Sequence, residues 1–239
     1  MASVGTLKAR RERAPDAPED DPMSEAVTIS PILDDWSTRR LLVGWREGQR
    51  AAGRELFVRH YEKIYRFFDS KIKRNVQELV EGTFRDCLEL ASTEVEVRVS
   101  LLTFATHRLY DHFKFEHVLE SFAQTDPSQL SLQELGGHPS TMIDTEPDLL
   151  LLREAIPRIP LGEQLLLELL LDDDSFSLAQ LARILGLEAV TMDERVGRAR
   201  AHLERELQRL DRDEPVIEAT RRTLSDKLLE ALQRASAEG

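Results

Sequence analysis

The sequence predicts an all-α protein: two helical domains joined by a flexible linker, the second carrying a helix-turn-helix. Three observations predict it. Apolar residues recur at three- and four-residue spacing through most of the chain, the mark of amphipathic helices. Period-two alternation of β-branched residues, the mark of half-buried strands, is scarce. Between residues 122 and 147 the periodicity gives way to Pro127, Gly136-Gly137, Pro139 and Pro147. That stretch is longer than the usual connection inside a compact domain, so it reads as a boundary.

Residues 1–34 read as a disordered tail, because Pro15, Pro18 and Pro22 lie among acids and few apolar residues. Lys8, Arg10, Arg11 and Arg13 are not followed by an apolar run, so a secretory signal is not expected. Helical periodicity begins after Pro31, and residues 35–120 form the first domain. Its first helix places Leu41, Leu42 and Trp45 on one face. A long second helix buries Ala52, Leu56, Phe57, His60, Ile64, Phe67 and Phe68, and leaves Arg54, Arg59, Lys63, Arg66, Lys71 and Lys73 exposed. The third, over 76–91, carries Leu79, Val80, Phe84, Cys87 and Leu88 on one stripe despite Gly82. The fourth starts near Val97, with Leu101, Phe104, Ala105, Leu109, His112 and Phe115 facing inward.

Residues 121–148 are the linker, and helices resume over 149–210. Two leucine-rich segments flank Pro160, and an acidic turn, Asp172 to Asp174, follows. Ser177 is a plausible N-cap for a helix whose apolar face is Leu178, Leu181, Ala182 and Leu185. Gly186 tolerates the positive φ with which such a helix ends. Thr191-x-x-Glu194 has the spacing of a capping box, in which side chains at each end satisfy the other's backbone N–H. The helix it opens buries Met192, Val196, Ala199, Leu203 and Leu207 and exposes Arg195, Arg198 and Arg200. Two helices, a tight turn and arginines on the second form the pattern that docks in a major groove. Asp193 and Glu194 work against such docking, since they stand where a phosphate backbone would approach. Residues 211–239 are an extension helix whose apolar face, with Ile217, Leu224 and Leu228, packs either on the second domain or on a partner.

Charge narrows the possibilities. The chain is 41% apolar and 32% charged, with a net charge of −12, which argues against a general nucleic-acid binder. The distribution is uneven, because residues 39–74 hold 11 Lys/Arg against 4 Asp/Glu. A solvated helix surface and a contact with phosphates both account for that block. No run approaches the length of a membrane span. The single Cys87 forms no internal disulfide, which fits a reducing cytoplasm, and its apolar context predicts a buried small hydrophobe. The cluster His107, Asp111, His112, Glu116 and His117 lacks the HExxH spacing and a further ligand set, so no metal is expected. With neither a glycine-rich phosphate loop nor a nucleophile elbow, no cofactor is expected and an enzyme is improbable.

In this order the segments resemble the sigma-70 family of bacterial RNA polymerase initiation factors, in its small two-domain extracytoplasmic-function type. The likeness covers roughly residues 36–120 and 149–210. Glu78-Leu79-Val80-Glu81-Gly82-Thr83-Phe84 looks like the family's core-binding stretch, and Phe104 to Lys114 like its promoter-melting stretch. Ile159-Pro160 matches the opening of the second domain, and Ser177 to Gly186 with Thr191 to Leu203 looks like its helix-turn-helix. The resemblance implies a cytoplasmic initiation factor that binds core RNA polymerase through Glu78, Leu79, Glu81 and Phe84. It implies contacts to the minus-ten element from His107, Arg108 and Lys114. It implies contacts to the minus-thirty-five element from Ser177, Gln180, Arg195, Arg198 and Arg200. Promoter DNA, core polymerase and an anti-sigma factor are the implied partners. Gly82 departs from the family pattern, which has a glutamate there, and His107 from its asparagine. The acidic Asp193 and Glu194 open a second reading, a sigma-like interaction protein with reduced or lost DNA binding.

Overall fold

The computed structural model describes residues 36–90, 97–116, 125–138, 150–172 and 176–237. Among these the protein is all-α, with no strand and a single isolated bridge between Ser131 and Pro160. Helix α1 (Thr38–Arg46) is capped by Ser37, whose side chain accepts from the Arg40 N–H. It buries Leu41 and Leu42 against α2 (Arg50–Asp69). The two cross closely at Gly53, where a Cβ would stand 2.5 Å from the Trp45 ring. Helices α3 (Val76–Leu90) and α4 (Val97–Glu116) complete the first half around Phe67, Phe68, Val80, Phe84, Leu101 and Leu109. Two expectations for this region fail. Phe115 is 82% exposed rather than part of the inward stripe of α4, because it lies two positions, over half a helical turn, past Phe113, which the core does take in. Lys71 is buried rather than exposed, because it lies just past the end of α2, where its ammonium turns inward over the Phe67 ring to meet Glu168.

The stretch that reads as linker is, over residues 125–138, packed. Pro127, Leu132 and Leu135 are buried. Asp126 caps a single 3₁₀ turn, and the His138 N–H donates to the Lys71 carbonyl. Gly137 is required there, since a Cβ would stand 2.6 Å from that same carbonyl oxygen. Residues 121–124 and 139–148 of the predicted linker and the 1–34 tail lie outside the described residues.

The second half is built around α6 (Leu161–Leu170), which follows α5 (Leu150–Ala155) and a 3₁₀ turn at Ile156–Arg158. Helix α6 is buried on nearly every side by its neighbours, including α7 (Leu178–Leu185), α8 (Met192–Gln208) and α9 (Glu214–Ala237). Helix α9 turns Ile217, Leu224, Leu228 and Ala231 onto the rest of the second half, so its apolar face is covered within the chain. The two halves pack on each other, with α7 lying against α4. Lys63 Nζ reaches Asp172 Oδ1 at 3.0 Å, and Lys71 Nζ reaches Glu168 Oε2 at 2.8 Å with both side chains fully buried. Among the described residues no helix is long and apolar enough to cross a membrane.

Candidate protein and nucleic-acid interface

Helix α7 begins with a complete capping box. Ser177 Oγ accepts from the Gln180 N–H, and Gln180 Oε1 accepts from the Ser177 N–H at 2.9 Å. Gly186 ends the helix in the left-handed region at φ 66°. The next box does not form. Thr191 closes a 3₁₀ turn with φ −96° and ψ 0°, and its hydroxyl donates back to the Glu188 carbonyl at 2.9 Å. That conformation turns its oxygen away from the N–H groups of α8. Asp193 and Glu194 remain in the first turn of α8, where carboxylates favour the positive end of the helix dipole.

Glu78 and Glu81 are exposed on α3 and Leu79 is half-buried beside them. Gln77 donates to Glu81 at 2.8 Å. Phe84, expected to anchor a partner, is 3% exposed and packs its ring 4.7 Å from that of Phe57. It is a core residue, because its position along α3 falls on the same face as Val80 and Cys87. Alongside, on α4, His107 and Lys114 are exposed. Glu78, Leu79, Phe104 and His107 line one groove of about 590 Å³ between α3 and α4.

Arg108 is held at the edge of this groove and is not free to meet a strand. Its Nε and Nη2 donate to the two oxygens of Asp86 at 2.7 and 2.8 Å. The guanidinium crosses α3 directly over Gly82, where a Cβ would stand 2.4 Å from Nη1. Glycine at position 82 thus has a local role: the missing side chain is the path of Arg108 to its partner.

The remaining expected contacts divide in two. Ser177 and Gln180 have their polar groups engaged in the capping box, and Ser177 is buried. Arg200 donates to Glu204 at 2.8 Å and to Ser225 Oγ of α9 at 2.8 Å. Arg195 and Arg198 line a second cavity of about 590 Å³, together with Lys114 of α4. Cations from the two separate sequence motifs therefore meet in one space between the halves.

Titration follows burial. Burial pushes the Cys87 thiol up to about 11, with Arg46 pulling weakly the other way, so the residue is an inert core thiol. Burial also raises the Tyr110 phenol, and holds the Lys71 ammonium below its ordinary value against the pull of Glu168. The Lys71–Glu168 pair was missed in the sequence. Its signal was a lone glutamate inside the leucine run of α6, a charge with no solvent to face.

No protein-family model matches the chain, and no significant match was found among curated proteins.

Proposed function

We propose that this protein is a transcription initiation factor of the sigma-70 type, which binds core RNA polymerase and directs promoter recognition and opening in the cytoplasm. The observation that carries the reading is the groove between α3 and α4. Glu78 and Leu79 of the motif resembling the core-binding stretch stand there beside His107 of the motif resembling the promoter-melting stretch. In the geometry present, the residues available to a partner are Glu78, Leu79 and Glu81, and those available to a DNA strand are His107 and Lys114. Phe84 and Arg108 act behind them, one as core and one as a brace between α3 and α4. The test is transcription in vitro with purified core enzyme on genomic DNA. Specific start sites that depend on the protein, and that Glu78→Lys with Glu81→Lys abolishes, are expected. Failure to bind core enzyme refutes the reading.

A second reading has its own observation. Helix α7 is covered by α4, Gln180 is spent on a cap and Arg200 on α9. A helix pair so occupied favours a sigma-like regulatory protein with reduced or lost DNA binding. Sequence-specific binding to duplex DNA by the full chain, weakening with salt as phosphate contacts do, would remove this alternative.

A further inference from the structure

The cavity between α4, α6 and α8 is not explained by either reading. Lys114 enters it from α4, and Arg195 and Arg198 from successive positions on one face of α8. None of the three side chains has a hydrogen bond or ion pair to any described residue. Elsewhere in the second half, Arg200, Arg209, Arg212 and Arg221 each reach a carboxylate. Two carboxylates face the cavity, and both are engaged. Glu163 holds His202 Nδ1 at 2.5 Å, and Asp126 accepts from the Ser128 N–H at 3.0 Å.

Three cations gathered from two helices face two carboxylates, Glu163 and Asp126, so the lining is net positive in a chain with 44 acidic residues. The rest of the wall is of another kind. It is mixed: Leu166, Leu185, Leu187 and the Tyr110 ring lie beside Ser128, Gln129 and His202, and Gly162 packs closely on Ser128, whose carbonyl oxygen would stand 3.1 Å from a Cβ there. A volume of about 590 Å³ is that of a small-molecule site and far below what a duplex needs.

We propose that this cavity binds a small molecule carrying two or more linked phosphates. Lys114, Arg195 and Arg198 take the phosphates, and the leucine and tyrosine wall accepts an attached base. Because its cations come from α4 and α8, the ligand ties the first half to the second. The site stands whether or not the protein reads a promoter. Occupancy would set how readily the halves separate, by binding only the packed arrangement.

The experiment is calorimetry and thermal denaturation of the full chain with inorganic pyrophosphate and with a nucleoside diphosphate, in magnesium-free buffer. One-to-one saturable binding and a rise in melting temperature are expected. Tighter binding of the nucleotide assigns the leucine and tyrosine wall to a base, and equal binding assigns the site to the phosphates alone. Lys114→Glu and Arg198→Glu are each expected to weaken binding at least tenfold. Arg200→Glu, outside the cavity, is expected to leave it unchanged. Lys114→Gln serves as a milder substitution on an exposed position should a reversal impair folding. Three results overturn the proposal: no saturable binding at millimolar ligand, binding indifferent to these substitutions, or a short single-stranded oligonucleotide that binds the same three cations more tightly than either phosphate compound.

Discussion

The buried Lys71–Glu168 pair yields the sharpest prediction about what holds the halves together. Lys71 Nζ lies 2.8 Å from Glu168 Oε2 and 2.9 Å from Ser70 Oγ, and sits over the Phe67 ring. Glu168 Oε1 accepts from Gln164 Nε2 at 2.8 Å. Neither charge has access to water. Lys71→Met keeps the stem and removes the charge, leaving a buried carboxylate. Breaking a buried pair from one side costs about 3–5 kcal/mol, limited by the carboxylate's escape through protonation. In a chain of this size that lowers the melting temperature by roughly 6–20 °C. Glu168→Gln alone is expected to cost a similar amount. The double variant removes both charges while the amide oxygen still accepts from Gln164. Its loss is expected to fall short of the sum of the two single losses by a coupling of about 1–3 kcal/mol. The assay is denaturant unfolding followed by far-ultraviolet circular dichroism. If the two single losses simply add, or if each is below about 1 kcal/mol, the pair does not join the halves and the argument from its burial is wrong.

Three further outcomes follow from local geometry. Gly53→Ala is expected to destabilise by about 1–3 kcal/mol, because the new methyl meets the packed Trp45 ring, whereas Gly82→Ala is expected to stay within about 1 kcal/mol, because only the flexible end of Arg108 must move and the helix gains propensity; chemical denaturation of both, with the order reversed, would refute the close approaches. Ser177→Ala is expected to cost about 1 kcal/mol and Thr191→Ala only a few tenths, since only the first box forms; equal losses in melting experiments would show otherwise. Cys87 ionises near 9.0 in the unfolded chain and about 11 in the fold, so its contribution is whole below pH 9.0 and is lost as pH rises through about 11. That loss is up to roughly 3 kcal/mol, and Cys87→Ala is expected to flatten the stability profile over that range; a parallel profile in the variant would show that burial does not raise the thiol.

Much of the fold was legible because it is set by neighbours in sequence. The stripes of α1 to α4, the Ser177 cap and the Gly186 stop each depend on residues within one or two turns. The same locality misled at Thr191, where spacing alone could not reveal that the backbone enters a 3₁₀ turn first. It also misled at Phe115, where a stripe read too wide took in a ring the core does not need.

The candidate site was less legible for a different reason. Glu78, Leu79, Glu81, His107 and Lys114 were found as motif residues; all are exposed except Leu79, which is half-buried. Arg108 and Phe84 belonged to the same motifs, yet one is tied to Asp86 and the other lies in the core. Motif membership does not say which partner a side chain finds inside its own chain.

By itself, then, the sequence determined that this protein is helical, where most helices begin and end, and which residues are polar enough to work at a surface. Periodicity, capping and charge are properties of short stretches, and a short stretch carries them wherever it sits. Only the tertiary structure decided that α7 lies on α4, that Lys71 meets Glu168, and that Lys114 shares a cavity with Arg195 and Arg198. Those pairings join residues far apart in the chain. They arise from how two apolar faces stack and exclude water, and no local pattern encodes the partner.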